Sequence, residues 1–376
     1  MSKRFIDFFA GIGGFRLGLE LAGWQCVGSC EKDKFSRKSY TAMYDTKGEW
    51  YRDDITTIKY NEVPRADLWT AGSPCQNLSL AGKREGLFAE RSGLFFNLVQ
   101  LLKSQDEEAK PEWILFENVK GLLSSNRGWD FYHYLFALSQ AGYDLQWQVF
   151  NSRDFGVPHN RERVYTIGRL RSRGRCKVFP ICRTGGTPTK QIVGGSQGNR
   201  VYDGSGSSVC LNANGGGDGG KTGLYLIDQS STQSKITNDC RCLTARYTSG
   251  ISKRKAQNSA VLKIKNGTKK GFQEASIGDS VNLAYPSSNT RRARVGNQIA
   301  NTLTANQNMG VVDWNGKQVQ IRRLTPKECF RLQGFPDELF EKARGQNSDA
   351  QLYKQAGNAV TVPVVKAIGL EILRKI

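Results

Sequence analysis

Arg4-Phe5-Ile6-Asp7-Phe8-Phe9, running into Ala10-Gly11-Ile12-Gly13-Gly14, decides how this chain of 376 residues folds. A short apolar run ends in a glycine turn, and an amphipathic stretch then continues to Ala22. That order reads as strand, tight turn and helix. The pattern repeats outward. Cys26-Val27-Gly28-Ser29-Cys30-Glu31 reads as the next strand and residues 35–44 as a helix. Asp67-Leu68-Trp69-Thr70-Ala71, Trp113-Ile114-Leu115-Phe116 and Leu145-Gln146-Trp147-Gln148-Val149 continue the series, with helical stretches at 94–103 and 129–141. Such alternation predicts a parallel sheet covered by helices. Ligands of these sheets bind outside the carboxyl ends of the strands. Phe9 to Gly14, Glu31, Asp54, Pro74 to Gln76 and Glu117 to Val119 all end or follow a strand, which sets them on one rim.

The charge balance points to a polyanionic partner. Lys and Arg number 54 against 34 Asp and Glu, a net charge of +20, and such a surface attracts nucleic acid. No secretory apolar core opens the chain and no apolar run reaches membrane-spanning length, so a cytoplasmic protein without membrane contact is expected. The nine cysteines form no CxxC pair; they include spacings such as Cys240-x-Cys242 and Cys176-x5-Cys182, and the chain has only two histidines, His133 and His159. No zinc site is expected from those spacings, and the scattered cysteines read as reduced thiols.

The charge also divides the chain. Residues 170–325 hold 24 Lys and Arg against 7 Asp and Glu, net +17, which leaves only +3 for the remainder. This segment is rich in glycine, as in Gly215-Gly216-Gly217-Asp218-Gly219-Gly220, and lacks long helical periodicity. It reads either as a basic linker or as an ordered, loop-rich domain facing nucleic acid. Strand-like runs at Gly223-Leu224-Tyr225-Leu226-Ile227, Ala260-Val261-Leu262-Lys263-Ile264 and Met309-Gly310-Val311-Val312 favour the domain. A Leu-polar-Ala-polar core recurs there at Leu211-Asn212-Ala213-Asn214, Leu243-Thr244-Ala245-Arg246 and Leu303-Thr304-Ala305-Asn306. A short hydroxyl on a glycine-flanked strand end can approach a base edge or phosphate; three unrelated turns would look the same.

Gly11-Ile12-Gly13 starts like a dinucleotide fingerprint, but Arg16 stands where its third glycine would be. Glu31, closing the second strand, is placed for ribose hydroxyls in NAD enzymes and methyl-donor enzymes alike. Pro74-Cys75-Gln76 breaks the tie, because hydride transfer has no use for it. With Glu117-Asn118-Val119 it offers a thiol and a carboxylate at neighbouring strand ends. Those are the groups that activate a cytosine ring at carbon 5: a thiolate adds to carbon 6, a proton is placed on ring nitrogen 3, and the resulting enamine attacks a methyl donor.

From these motifs the chain resembles the bacterial and phage DNA (cytosine-5) methyltransferases. Asp7 to Arg16 resembles the family's cofactor turn, Gly72-Ser73-Pro74-Cys75-Gln76 its nucleophile loop and Phe116-Glu117-Asn118-Val119-Lys120-Gly121 its acid motif. Asn160-Arg161-Glu162-Arg163-Val164-Tyr165 is similar to the arginine motif. Arg323-Leu324-Thr325 with Glu328 and Leu332-Gln333-Gly334-Phe335-Pro336 is similar to the helix supporting the recognition domain, and Gln355-Ala356-Gly357-Asn358-Ala359-Val360 to the closing motif. The resemblance implies a Rossmann-like mixed, mainly parallel sheet with helices on both faces, carried by residues 1–169 and 326–376. A smaller, irregular β-rich target recognition domain would occupy 170–325.

It also implies roles. S-adenosylmethionine would be the cofactor, with Phe9 on its adenine, Gly11, Ile12 and Gly13 admitting the methionine end, and Glu31 on the ribose. Asp54 and Ile55 would meet the adenine edge, and Leu94, Asn358 and Val360 would complete the pocket. Cys75 would be the nucleophile, Glu117 the partner of cytosine N3 and N4, and Arg163 the donor to O2. Arg161 would orient Glu117 or bind a phosphate. Gln76, Ser79 and Arg91 would belong to a loop closing over DNA, and Thr244 and Thr304 to target recognition. The partner would be double-stranded DNA, bound by a monomer, without metal; a cognate restriction endonuclease would form no stable complex with it. Two departures stand out: Lys32 where many relatives carry an aromatic, and His159 where they carry Gln. The second brings a possible pH sensitivity. A tRNA cytosine-5 methyltransferase and a catalytically silent DNA-binding relative remain as alternatives.

Overall fold

The computed structural model describes residues 2–72, 93–181, 191–193, 201–202, 224–225, 227–228, 235–236, 262–284, 294–303, 309–314 and 319–376. The chain divides into two compact units: Met1–Cys182, Ile299–Gly310 and Arg323–Ile376 form the first, Arg183–Gln298 and Val311–Arg322 the second.

The first unit is built on a seven-stranded sheet. Its strands are β1 (Arg4–Phe8), β2 (Gln25–Cys30), β3 (Trp50–Arg52), β4 (Leu68–Gly72), β5 (Trp113–Val119), β6 (Tyr143–Asn151) and β8 (Glu162–Leu170); β7 (His159–Asn160) lies outside that sheet. The spatial order is β3-β2-β1-β4-β5-β8-β6. β3, β2, β1, β4 and β5 run parallel, and β8 is antiparallel to both its neighbours, β5 and β6. This is the Rossmann-like, mainly parallel sheet expected from the alternating pattern. β3 and β8 had not been read as strands: β3 has three residues, and β8 is dominated by its arginine motif.

Period-two alternation gives each face its own core. Ile6, Phe8, Trp69, Ala71, Ile114 and Phe116 pack under α3 (Gly93–Lys103) and α4 (Trp129–Gln140) with Leu98, Leu102, Tyr134 and Leu138. Phe5, Leu68, Trp113, Leu115 and Ile167 pack on the other side with Phe15 and Leu19 of α1 (Gly14–Glu20) and Val364, Val365, Ile368 and Ile372 of α8 (Val362–Leu373). α2 (Lys34–Met43) follows β2, capped by the Asp33 carboxylate on the N–H groups of Phe35 and Ser36. Both faces are therefore apolar, the pattern of strands buried on two sides.

The C-terminal helices α5 (Pro326–Leu332), α6 (Asp337–Arg344) and α7 (Asp349–Asn358) lead into α8. Residues 349–373 are together long and apolar enough to cross a membrane by composition, but most of that stretch is buried. Its apolarity is explained by contact with α1: a Cβ on Gly18 would lie 2.6 Å from Val365, and Trp24 donates to the Gly369 carbonyl at 3.1 Å.

Residues 171–181 and 299–303, which the charge count groups with the basic segment, belong to the first unit. Gln146 and Gln148 on β6 bond the backbone of Cys176, Val178, Phe179 and Ile181, and Val178 and Phe179 are buried beside Phe150. β18 (Ala300–Asn301), so numbered in chain order after the strands given next, pairs with β7. The second unit is β-rich. It contains short strands β9 (Gln191–Val193), β10 (Val201–Tyr202), β11 (Leu224–Tyr225), β12 (Ile227–Asp228) and β13 (Lys235–Ile236). The hairpin of β14 (Leu262–Lys265) and β15 (Phe272–Ala275) follows, then β16 (Ser280–Asn282) and β17 (Val295–Gly296), which join β19 (Met309–Trp314) and β20 (Val319–Arg323) in a sheet. Ile264, Ala275, Val281 and Val312 make its small core.

His159 anchors the returning strand. It is fully buried, and its Nε2 accepts the Leu303 N–H at 3.1 Å. Burial first, then the guanidinium groups of Arg161 and Arg163, push its pKa from the ordinary 6.5 down to about 3. The ring is neutral at working pH, which removes the switch that its sequence position suggested. The unfolded chain takes up a proton near pH 6.5 that the folded chain refuses until about pH 3. This histidine's contribution is therefore whole above pH 6.5 and is lost as pH falls. His159→Gln keeps an acceptor for Leu303, and its stability relative to the parent should rise by about 1.4 kcal/mol per pH unit below roughly pH 6.5. Urea unfolding of both proteins at several pH values between about 7.5 and 5.5 measures that difference; a constant difference would contradict the assignment.

Candidate active site

The sheet's carboxyl rim collects the polar residues because its two faces are closed to them. β1 ends in a turn whose first residue, Phe9, takes φ 57°, with Gly11 at 56° and Gly13 at 80°. Glycine supplies that conformation freely, whereas Phe9 is held there against its preference. Phe8 points into the buried α3 layer; Phe9 is half-buried at the edge of the same layer, beside the group that contains Ile55 and touches Leu94. Among the described residues, a Cβ on Gly11 would meet nothing within 4 Å, which leaves room there for an incoming group.

Glu31, one residue beyond β2, reaches back to this turn. Its Oε2 accepts the Gly11 N–H and its Oε1 the Asp33 N–H, each at 2.7 Å. Burial raises its carboxyl above the usual range, and those two N–H groups work against the rise. Asp54, past β3, receives Lys32 Nζ on Oδ2 at 2.5 Å and the Thr56 N–H and hydroxyl on Oδ1. These bonds hold its pKa down to about 2, the Lys32 contact contributing most. The departure at Lys32 thus places an ammonium group on Asp54 where a ring was expected.

Val360 sits in the opposite layer. Its Cγ2 is 3.4 Å from where a Cβ of Gly72 would be, and its carbonyl oxygen only 2.4 Å from where one of Gly14 would be. Asn358 ends α7 and is exposed. Gly14 lies on the rim expected from the sequence, but its contact does not show there: any side chain on it would drive the closing motif off α1. The motif is pinned from several directions. Ser39 donates to Gln355, Gln333 donates to the Ala356 carbonyl, and Thr361 donates to Gln333.

Glu117 and Arg163 meet across β5 and β8, with the end of β4 alongside. Gly72 is the register partner of Glu117, and a Cβ on it would be 3.9 Å from Glu117 Oε2. β4 therefore ends beside the carboxylate, at Gly72, three positions before Cys75 in the sequence. Glu117 is itself paired with Tyr165, and Val119 with Arg163. This register brings Arg163 Nε to 3.0 Å from Glu117 Oε1, an ion pair rather than an aligned hydrogen bond. Arg163 also donates to the Glu162 carbonyl at 2.8 Å. Both side chains are largely withdrawn from solvent, which strengthens their attraction.

Arg161 is placed differently from Arg163, although the Glu117 charge still acts on it. It was expected to orient Glu117 or hold a phosphate, but its guanidinium is buried and donates to the carbonyls of Gly357 at 3.2 Å and Ala359 at 3.0 Å. Arg161 lies in the break between β7 and β8, so the period-two alternation that would align it with Arg163 does not extend to it. It ties the arginine motif to the closing motif. Cys75, Gln76, Ser79, Arg91, Thr244 and Thr304 lie outside the described residues. Among the described residues no cluster of three or more His, Cys, Asp or Glu side chains is arranged to hold a metal ion.

Comparison with known proteins gives this rim its context. The family model described as C-5 cytosine-specific DNA methylase matches residues 3–374. The chain is 34% identical over 370 residues to the type II methyltransferase M.NlaX of Neisseria lactamica, covering 97% of this chain and 94% of that one. It is 29% identical over 453 residues to the orphan methyltransferase M.SPRI of Bacillus phage SPR, covering 98% and 97%. In fold it is similar to the crystal structure of S. pombe Dnmt2 methyltransferase, with a TM-score of 0.57, 18% identity and 99% of each chain covered. The match runs from the first strand to the last helix, and the chain belongs to the C-5 cytosine-specific DNA methylase family.

Proposed function

We propose that this DNA (cytosine-5-)-methyltransferase works through a covalent Cys75 intermediate on a cytosine flipped out of duplex DNA. The observation that carries the reading is the Arg163–Glu117 pair, 3.0 Å apart beside Gly72, the last residue of β4. Base extrusion is what chemistry on carbon 5 inside a stack requires. Cys75 Sγ, as thiolate, bonds to C6 of the ring. Glu117 faces N3 and N4, supporting the proton on N3, and Arg163 donates to O2 while holding Glu117 in place. The C4–C5 π electrons of the resulting enamine then form the new bond from C5 to the methyl group as the methyl leaves its donor, and the N3 proton returns to Glu117. Loss of the C5 proton to a base, for which water suffices, re-forms the double bond and releases the thiolate.

S-adenosylmethionine, when bound, supplies that methyl group. The residues present fit it: the open space over Gly11, the half-buried ring of Phe9 and the carboxylate of Glu31 lie together at one strand end. Phe9, Ile55 and Leu94 would cover its adenine, with Asp54 at the edge and Val360 and Asn358 on the far side. Ile12 and Gly13 would line the methionine end. Residues 170–325 would supply most phosphate contacts and, through Thr244 and Thr304, part of the target reading; Gln76, Ser79 and Arg91 would close over the duplex. The protein would act as a monomer on DNA in the cytoplasm, in a restriction–modification, phage or orphan setting like those of its named relatives. The tRNA alternative is not favoured, since the matched family is described as a DNA methylase.

Wild-type protein should form a covalent adduct with DNA carrying 5-fluorocytosine at its target, because fluorine cannot leave as a cation. Cys75→Ser should form none, and denaturing gels separate the two; absence of adduct from actively methylating wild type would overturn the covalent route. Glu117→Gln should lower the single-turnover methylation rate by about 10²–10⁴-fold, the usual contribution of a positioned acid–base group. Duplex binding should weaken steeply between roughly 50 and 200 mM salt as phosphate counterions are released. A flat dependence in fluorescence anisotropy would argue against the basic segment as the main phosphate surface.

A further inference from the structure

Tyr44 follows α2, more than thirty residues beyond the glycine turn, yet its side chain packs directly against that turn. A Cβ on Gly13 would lie 2.6 Å from its ring carbon Cε2 and 2.9 Å from its hydroxyl. The hydroxyl donates to the Gly13 carbonyl at 3.1 Å and is 3.3 Å from the Ile12 carbonyl, sharing one proton between them. Gly13 O also accepts the Leu17 N–H at 2.9 Å, so it carries both the first turn of α1 and the tyrosine. Burial raises the Tyr44 pKa well above its ordinary range, which keeps the hydroxyl a donor.

The ring is itself clamped. The Arg16 guanidinium lies over it, 4.6 Å from the centroid, and over Tyr40 at 5.2 Å. Glu49 accepts Arg16 Nη1 and Nη2 at 2.8 Å each, Glu20 accepts Nε at 3.0 Å, and the Asp45 carbonyl accepts Nη2 at 3.0 Å. A bidentate pair of this kind fixes the guanidinium plane as well as its position. Arg16 thus has a job of its own at the place where the dinucleotide fingerprint has glycine. On the opposite side, the Gly11 N–H is held by Glu31. The turn is gripped at its amide end by a carboxylate and at its carbonyl end by a phenol.

We propose that Tyr44 is a positioning residue for the methyl donor, acting through the carbonyls of Ile12 and Gly13, with Arg16 and Glu49 fixing its ring. This rests on the reading of the turn as the S-adenosylmethionine site. Left-handed residues at 9, 11 and 13 make the turn conformationally costly, and a turn that relaxes in the free protein must be re-ordered at each binding event, which weakens binding. The phenol hydroxyl removes that freedom.

Tyr44→Phe, which keeps the ring and deletes the hydroxyl, should weaken S-adenosylmethionine binding about threefold to tenfold, the worth of one hydrogen bond. KM for the cofactor should rise by the same factor, with kcat at saturating cofactor and KM for DNA within about twofold. Arg16→Lys, which loses the bidentate grip, should move the same constants in the same direction. Calorimetry with S-adenosylmethionine, steady-state kinetics and thermal melts of parent and variants supply the comparison. A purely structural role would lower the melting temperature and reduce active fraction without changing KM for the cofactor. That result, or unchanged cofactor affinity in Tyr44→Phe, overturns the proposal. Failure of the parent to bind S-adenosylmethionine would instead overturn the reading of the turn.

Discussion

Ile6, Phe8, Trp69, Ala71, Ile114 and Phe116 face one helical layer, while Phe5, Leu68, Trp113 and Leu115 face the other, so the central sheet has no solvated side. Polar side chains placed along these strands would lose water without regaining partners. Chemistry is thereby confined to the strand ends. Asp7 illustrates the cost of an exception: it is fully buried, its Oδ2 has no hydrogen bond, and desolvation lifts its pKa to about 7 despite the Thr70 hydroxyl. The rim, by contrast, gathers Glu31, Asp54, Glu117 and Arg163 from four different strands.

The antiparallel placement of β8 adds what a wholly parallel sheet would lack. It returns the arginine motif alongside the acid motif, so that Arg163 meets Glu117 by register and not by a flexible loop. Removing one partner of such a withdrawn pair leaves an uncompensated charge. Arg161, two residues earlier, is used to hold the closing motif through two backbone carbonyls. Catalytic strand and closing motif are thus fastened by neighbouring members of one short sequence.

The cofactor turn shows the same economy of long-range fastening. Its backbone is gripped by Glu31 and Tyr44, and Gly14 allows the carbonyl of Val360 to approach where any side chain would collide. α8 then packs on α1, with Gly18 and Gly369 permitting the close contact. The first and last helices of the chain therefore share one layer, and the rim is complete only when the C-terminal segment has returned.

The sequence by itself determined the alternation of strands and helices, because burial on two faces demands unbroken apolar runs and helices demand their own period. It also marked which strand ends carry polar candidates, since Glu31, Glu117 and the Cys75 tripeptide each follow an apolar run. Local pattern could not determine side-chain partners at long range. The arginine motif did not show which backbone Arg161 would hold; the break before β8 sends it to the carbonyls of Gly357 and Ala359, while Arg163 pairs with Glu117. Arg16 looked like a missing glycine, and its partner Glu49 lies 33 positions away. His159 looked like a pH switch, but complete burial beside two arginines keeps it neutral. Tyr44 carried no signal at all. Each of these depends on which groups the fold brings within hydrogen-bond distance and how much water it removes, and both are properties of the tertiary structure.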